Sequence, residues 1–190
     1  MYPSKSGNVS VRWRDGLLIT PTGLPYARMR PEDIVELDLS GSQRAGALDP
    51  SSEWRLHSGI YKARPDTEAI VHTHSPMATA LSCARIGIPP FHYMVAICGG
   101  AGIEYATFGS QQLADGAVKA LWDCKAALLA NHGAVAIGTT VEGARIIVAE
   151  VENLATQYLA LLSAGIEPAT LGEAEMRRIA EKFESYGKVG

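Results

Sequence analysis

The sequence predicts a single domain of the α/β (α+β-like) class, in which a central, mainly antiparallel β-sheet is flanked by helices. Three observations carry this prediction. Short alternating or wholly apolar runs fill the N-terminal part and recur near residues 126–137, whereas helical spacing dominates the C-terminal third. No repeat or linker divides the 190 residues. A chain of this length can bury roughly 70% of its unfolded surface, which is enough for one core.

The N-terminal part has the pattern of antiparallel strands. Residues 8–13 alternate polar and apolar side chains, and Asp15-Gly16 leads into the apolar run 17–20. This arrangement is typical of a tight hairpin. Residues 34–39 alternate again and predict a third strand, and the Gly- and Ser-rich segment 40–46 predicts a loop.

The middle of the chain mixes both kinds of element. Asp49-Pro50 predicts the start of a helix, with Asp as the N-cap and Pro at the first helical position. The apolar residues 69–71 predict a short strand, and residues 111–122 have helical spacing. Residues 126–130 and 134–137 predict two strands that meet at a glycine-assisted bend.

The C-terminal third is predicted to be helical. Thr139 and Glu142 have the spacing of a capping box, and apolar residues then recur at intervals of three and four until Gly165. Thr170 and Glu173 repeat the capping pattern before a last amphipathic helix.

Composition excludes several classes of partner. The chain has 17 basic and 20 acidic residues and a formal net charge of −3, which gives no basic face for nucleic acid. No apolar segment approaches the ~20 residues that span a bilayer, and the opening residues lack the apolar core of a signal peptide. We therefore expect a cytoplasmic protein with no membrane partner. Cys83, Cys98 and Cys124 are widely spaced in apolar surroundings, which predicts reduced core thiols.

The strongest local chemical pattern is His72-Thr73-His74. Residues two apart on a strand point to the same face and would present two imidazoles to one ion. Two ordinary polar strand residues would look the same. His132 lies at the predicted glycine bend, where its side chain could reach a cleft. Three imidazoles with one open position are typical of a catalytic zinc site.

Glu53 is a candidate fourth group. It lies one turn into the predicted helix, where a carboxylate could be a displaceable ligand, a general base, or an ordinary residue favoured by the helix dipole. Ser51-Ser52 would place hydroxyl and backbone N–H groups at the same helix end, which is typical of an anion site. Gly7-Asn8 and Thr22-Gly23 are further places where a ligand could approach the backbone closely, although each pair alone indicates only a turn.

Two other histidines have less specific contexts. His57 follows Glu53 by four residues on the predicted helix, so it is either a metal ligand or, more typically, a packed or surface residue. His92 precedes Tyr93 and is interpreted as a structural hydrogen-bonding residue. The glycines of residues 99–102 do not have the GxGxxG spacing, so no nucleotide site is predicted.

Several blocks of the sequence together are similar to one family. They are GNVSVRW, DGLLITPTGLPY, PSSEWRLHSGIYKARPD, AIVHTH, IPPFHYM, YATFG, LLANHG, EVENLATQYL and KFESYG. With these blocks the chain resembles the class II (zinc-dependent) aldolases of the aldolase/adducin family. The resemblance implies one family domain over residues 1–190, without the N-terminal helix that usually precedes the GNVS block.

The resemblance implies functions for particular residues. It implies one zinc ion per subunit at His72, His74 and His132, with Glu53 as alternate ligand and catalytic base. It implies Tyr93 as an aldehyde-side proton donor. The implied phosphate and substrate pocket consists of Gly7, Asn8, Thr22, Gly23, Ser51 and Ser52. The implied residues that shape the aldehyde end are Phe108, Phe183 and the further catalytic residue Tyr186.

The reaction implied by the resemblance is the reversible cleavage of a ketose 1-phosphate, such as L-fuculose 1-phosphate, to dihydroxyacetone phosphate and a small aldehyde. A zinc-stabilised enediolate would carry this lyase reaction, and the implied assembly is a homotetramer. Two alternatives from the same family are a ketose-5-phosphate 4-epimerase and a phospho-sugar-acid decarboxylase. A non-catalytic, adducin-like interaction module would be expected to lack the metal ligands, which are all present here.

Overall fold

The computed structural model describes residues 5–100 and 102–185 of the chain. Within those residues, eight β-strands form one sheet with six α-helices packed around it. The strands are β1 (Asn8–Trp13), β2 (Gly16–Ile19), β3 (Val35–Asp38), β4 (Gln43–Ala45), β5 (Ala69–Thr73), β6 (Gly102–Ile103), β7 (Ala126–Leu129) and β8 (Gly133–Gly138). The helices are α1 (Trp54–Ala63), α2 (Pro76–Ala84), α3 (Val95–Cys98), α4 (Gln111–Ala120), α5 (Val141–Ser163) and α6 (Glu173–Ser185).

The sheet confirms the predicted fold class. Its strand order is β4-β3-β2-β1-β5-β8-β7-β6, and every neighbouring pair is antiparallel except β6 and β7. Strand β5 is central. Asn8 of β1 lies opposite His72 of β5, and Val135 of β8 lies opposite the same histidine on the other side. The predicted histidine motif therefore lies in the middle of the sheet.

Apolar side chains cover both faces of the sheet. On β5, Ile70 packs in the cluster that includes residues of α1 and α4, whereas Ala69 and Val71 pack in the cluster that includes residues of α2 and α5. Because successive side chains of a strand point to opposite faces, His72 shares the face of Ile70. Each fully buried aliphatic side chain contributes about 1.5–3 kcal/mol, so this packing stabilises the position of α1 and α4 on the face of the sheet that carries His72.

The first helix begins later than predicted. Asp49-Pro50 does not start it; α1 begins at Trp54. The intervening segment pairs instead with the end of β2, because the Ser51 N–H donates to the Thr20 carbonyl at 3.1 Å and Pro50 bridges to Pro21. These backbone groups are therefore used in sheet-like pairing and are not available to a helix.

Among the strands and α-helices of the described residues, four short elements were not predicted, namely β4, β6, α2 and α3. The residues of β4 lie in the predicted loop and are all exposed, so they have no apolar alternation to detect. The start of α2 is capped from a distance, because the Glu152 carboxylate on α5 accepts the N–H groups of Met77 and Ala78 at 3.0 and 2.8 Å. A local sequence pattern does not contain this cap.

The C-terminal helices are present as predicted, with a correction at the start of each. The N-cap of α5 is Thr140 and not Thr139, because the Thr140 hydroxyl accepts the Gly143 N–H at 3.0 Å. Helix α6 begins at Glu173 and not directly after Thr170, because the Gly172 carbonyl accepts the N–H groups of Glu175 and Met176, so the predicted Thr170 cap is wrong. Within residues 5–100 and 102–185, no helix combines the length and apolar character that crossing a bilayer requires.

The cysteine prediction holds only in part. All three cysteines are free thiols, but Cys98 alone is buried, while Cys124 is half-buried and Cys83 is exposed. The prediction of a core position is wrong for Cys83 because this residue lies on the side of α2 opposite to its buried residues Ala78 and Leu81.

Candidate metal centre and active site

Three separate segments bring four potential metal ligands together. His72 is on β5 and His74 follows that strand, while His132 lies in the tight connection between β7 and β8. Glu53 is the N-cap of α1, not a residue one turn inside the helix as predicted. One potential ligand atom from each of these four side chains lies within 4.8 Å of the other three. The sheet and α1 thus place the predicted group at one point.

The three imidazoles form a regular cluster. Each pair of ring centroids is 4.8 Å apart, and the rings are inclined at 69–77° to one another. The Nδ1 atom of His72 is 2.9 Å from the Ala134 carbonyl oxygen, so we assign the ring proton to Nδ1. The lone pair of His72 Nε2 then faces the cluster, as metal-binding histidines require.

The carboxylate of Glu53 gives a test of whether these residues fit a metal. Its Oε2 atom is 3.0 Å from His72 Nε2, and its Oε1 atom is 3.4 Å from His132 Nε2. Oε1 is buried and accepts no hydrogen bond within the described part of the chain. Burying a carboxylate oxygen without a partner is costly, and a cation among the four groups would satisfy it. Three imidazoles and one carboxylate therefore fit zinc or a similar divalent ion.

The protonation states also suit metal binding. Burial favours a higher pKa for Glu53, but the neighbouring His72 imidazole, with smaller effects of His132 and Asn8, lowers this pKa to about 2. Burial, followed by the charge of His72, lowers the pKa of His74 to about 4 and also lowers that of His132. At neutral pH the carboxylate is ionised and these two imidazoles are neutral, as metal ligands must be.

A cavity of about 150 Å³ adjoins this cluster. All six residues predicted for the phosphate pocket line it, together with Glu53 and His132. Lys5 also lines it and was not predicted; a cation just before Gly7 is the signal that could have indicated it. The residues that line the cavity are Lys5, Ser6, Gly7, Asn8, Pro21, Thr22, Gly23, Ser51, Ser52, Glu53, Phe108 and His132.

Polar groups at the start of α1 are arranged differently from the prediction. The N–H groups of Glu53 and Trp54 are not free, because they donate to the Ser51 hydroxyl oxygen at 3.3 Å and to the Ser51 carbonyl at 3.1 Å. The Ser51 hydroxyl can still donate its own hydrogen to a ligand. The cavity can therefore bind an anion through hydroxyl groups and Lys5 as well as through loop backbone.

Gly7 is required by its position between the cavity and the sheet. Its φ is +80°, in the region that favours glycine, and a Cβ atom there would lie 2.5 Å from the His72 carbonyl oxygen. A side chain at this position would push β1 away from the strand that carries His72.

The residues predicted for the aldehyde end are not all at this cavity. Phe108 lines it and is 65% exposed. Tyr93 and Phe183 form a separate stacked pair, with ring centroids 6.2 Å apart, and neither is among the described residues that line the cavity. Tyr186 lies outside the described residues. The His92 Nδ1 atom accepts the Met94 N–H at 3.3 Å, in keeping with the structural interpretation.

His57 is packed in the core and is not part of the metal cluster. It is completely buried, and its two ring nitrogens contact Ser10 and Asn8. Burial, followed by the charge of His72, lowers the pKa of His57 from 6.5 to about 3. The packed alternative from the sequence is therefore the correct one.

The low pKa of His57 gives a prediction for stability. Unfolded protein binds a proton at this residue below pH 6.5, whereas folded protein does not until about pH 3, so acidification favours unfolding in this window. Between neutral pH and pH 5, His57 should reduce the free energy of unfolding by about 2 kcal/mol. Urea unfolding of metal-free protein at several pH values measures this. In His57→Gln the free energy of unfolding should depend less steeply on pH, by a slope that corresponds to the uptake of up to about one proton on unfolding. A slope equal to that of the wild type would contradict the prediction.

Comparison with known proteins agrees with this geometry. Residues 1–159 match the family described as the class II aldolase and adducin N-terminal domain. The 5-methylthioribulose-1-phosphate/5-deoxyribulose-1-phosphate aldolase of Rhodospirillum rubrum is 50% identical over 185 residues, which are 96% of this chain and 83% of the relative. The L-fuculose phosphate aldolase of Haemophilus influenzae is 45% identical over 185 residues, covering 96% and 85% of the two chains. A solved L-fuculose 1-phosphate aldolase superposes with a TM-score of 0.91 at 40% identity, covering 95% and 87%.

The chain belongs to the class II aldolase and adducin family, and within it to the class II aldolases, which are lyases. Class II aldolases depend on a metal ion. The cluster of Glu53, His72, His74 and His132 could hold such an ion.

Proposed function

We propose that the protein is a zinc-dependent aldolase that reversibly cleaves a ketose 1-phosphate to dihydroxyacetone phosphate and a small aldehyde. The observation that carries this proposal is the position of the Glu53 and histidine cluster beside a cavity lined by anion-binding groups. The two relatives described above are named for ketose 1-phosphates or for L-fuculose phosphate, which supports the same substrate class.

The cavity would hold the phosphate group of the substrate. Ser51, Ser52 and Thr22 can donate hydroxyl hydrogens, and Lys5 adds a positive charge. Because the cavity wall includes Glu53 and His132, a phosphate bound there would hold the neighbouring carbons close to the cluster. Such positioning lowers the entropic cost of bringing the reacting carbons and the cluster together.

Glu53 would move the proton at the reacting carbon. In the direction of synthesis, its carboxylate removes a proton from the hydroxymethyl carbon of dihydroxyacetone phosphate; in cleavage it returns that proton. His72, His74 and His132 would hold the zinc ion, which when bound supplies positive charge for the substrate oxygens. Glu53 can act as a base because its carboxylate is ionised at neutral pH, and none of residues 5–100 and 102–185 donates a hydrogen bond to its Oε1 atom.

We place Tyr93 at the aldehyde end, where it would protonate the aldehyde oxygen as the new bond forms. Tyr93 is 49% exposed and stacks on Phe183, so this pair is accessible to a second copy of the chain. In the proposed cytoplasmic homotetramer, Tyr93, Phe183 and Tyr186 would complete the site of a neighbouring subunit, and Phe108 would lie at the same boundary.

A panel of phosphorylated sugars tests the proposed function. We expect zinc-loaded protein to release dihydroxyacetone phosphate from at least one of L-fuculose 1-phosphate, 5-deoxyribulose 1-phosphate and 5-methylthioribulose 1-phosphate. A coupled assay that follows NADH oxidation measures the release, and EDTA should abolish it. Protein with stoichiometric zinc that cleaves none of the three would contradict the proposal. Interconversion of ketose 5-phosphates or loss of CO2 from a phospho-sugar acid would then identify the family alternatives.

A further inference from the structure

A chain of buried hydrogen bonds runs from Glu53 into the protein core. The Nδ2 atom of the Asn8 side-chain amide is 3.1 Å from Glu53 Oε2, and the Oδ1 atom of the same amide contacts His57 Nε2. The Ser10 hydroxyl is 2.6 Å from His57 Nδ1 and 2.8 Å from the Tyr61 hydroxyl. Asn8, Ser10, His57 and Tyr61 are each no more than 4% exposed. Water therefore has little access to these hydrogen bonds.

The direction of each hydrogen bond follows from the chemistry of the groups. An ionised carboxylate only accepts, so Asn8 must turn its NH2 group towards Glu53 and its carbonyl oxygen towards His57. His57 must then carry its proton on Nε2 in order to donate to that oxygen. Its Nδ1 atom is left as an acceptor, so the Ser10 hydroxyl donates to it and accepts from Tyr61.

The fold explains why these groups meet. Asn8 and Ser10 are two residues apart on β1, so their side chains point to the same face of the sheet. His57 and Tyr61 are four residues apart on α1 and lie on one side of that helix. Glu53 is the N-cap of the same helix. The contact between β1 and α1 therefore aligns the whole chain of hydrogen bonds on the candidate base.

We propose that His57 is a positioning residue for Glu53. By donating its Nε2 hydrogen to Asn8, it fixes the orientation of the Asn8 amide, which in turn holds Glu53 Oε2 and directs Oε1 towards His132 and the cavity. This inference rests on the proposed role of Glu53 as the base. It gives Asn8 a second task beside the predicted contact with substrate phosphate.

The opposite arrangement would be unfavourable. With the proton on Nδ1, the lone pair of His57 Nε2 would face the Asn8 carbonyl oxygen, and the amide would have to turn over. The Asn8 oxygen would then face the Glu53 carboxylate, and two acceptors would oppose each other in a buried site. Burial also keeps the pKa of His57 low, at about 3, so the ring stays neutral over the ordinary working range.

Nitrogen NMR tests the hydrogen-bond direction without relying on activity. In protein labelled with ¹⁵N-histidine, we expect the His57 ring to be neutral with its proton on Nε2 from pH 5.5 to 8. The signal is assigned by its absence in His57→Gln. A proton on Nδ1, or a charged ring in this range, would overturn the inference.

Kinetics of matched variants test the effect on Glu53. The amide N–H of Gln can take the place of the Nε2 hydrogen, whereas Leu cannot donate. We expect kcat per zinc-loaded site to fall less than about 10-fold in His57→Gln and about 10–100-fold in His57→Leu, with KM and zinc content nearly unchanged. Ser58→Ala is the control. It removes another hydrogen bond of α1, which the Ser58 hydroxyl donates to the Leu39 carbonyl, and this bond is not connected to Glu53 through Asn8 and His57.

The outcomes separate the inference from the proposed function. If His57→Leu keeps the wild-type kcat per loaded site, or if Ser58→Ala loses as much kcat, His57 has only a structural role. If His57→Leu does not fold, the ¹⁵N spectrum of the wild type still decides the hydrogen-bond direction on which the inference depends. Zinc-loaded wild type that cleaves no ketose 1-phosphate would instead overturn the proposed function.

Discussion

Replacing Glu53 with Gln is expected to lower kcat about 10²–10⁴-fold while zinc content stays near one ion per chain. The substitution keeps the size of the side chain but removes the basic carboxylate that lies 3.0 Å from His72 and 3.4 Å from His132. The imidazoles of His72, His74 and His132 remain to hold the ion. Release of dihydroxyacetone phosphate, together with zinc analysis of the same sample, measures both effects.

A surface glutamate provides the control for this substitution. Glu68 is 51% exposed and lies 3.8 Å from Arg12, so Glu68→Gln should leave turnover unchanged. Full activity of Glu53→Gln would contradict the assignment of the base. Loss of zinc in parallel with activity would show that Glu53 acts mainly as a ligand.

Substitution of a candidate ligand should have an equally large effect through the metal itself. His74→Ala is expected to weaken zinc binding at least about 100-fold and to remove activity at ordinary zinc concentrations, because only two imidazoles and one carboxylate remain. His74 is the most exposed of the four cluster residues, so this variant should fold with little loss of stability.

Zinc per chain after dialysis, followed by calorimetric titration with zinc, measures this prediction. His92→Ala is the matched control for zinc content, because His92 is a histidine outside the cluster that contacts the Met94 backbone. Retention of stoichiometric zinc by His74→Ala would contradict the assignment of the ligands.

Local patterns predicted most of the sheet and pointed to the histidines that could hold a metal ion. The hairpin of β1 and β2 follows from alternation and from the Asp15-Gly16 turn, both of which lie within a few neighbouring residues. His72 and His74 could be recognised because residues two apart on a strand share a face. Each of these signals is contained in one short segment.

The errors arose where distant contacts decide the local structure. Asp49-Pro50 does not start α1 because Pro50 and Ser51 pair with Pro21 and Thr20, which directly follow β2 and leave no mark in the local pattern. The role proposed for His57 depends on Asn8, 49 residues earlier in the chain. The positions of Tyr93 and Phe183 relative to a complete site depend on how copies of the chain associate.

Proton exchange on dihydroxyacetone phosphate tests the central claim most directly, because it needs no aldehyde. The claim is that Glu53 removes a proton from this substrate beside a metal ion held by three histidines. In D2O, zinc-loaded protein should exchange one proton of the hydroxymethyl carbon of dihydroxyacetone phosphate for deuterium, and ¹H NMR measures this exchange. EDTA should stop the exchange, and added zinc should restore it. Absence of exchange in fully zinc-loaded protein, or exchange that persists after complete metal removal, would contradict the claim.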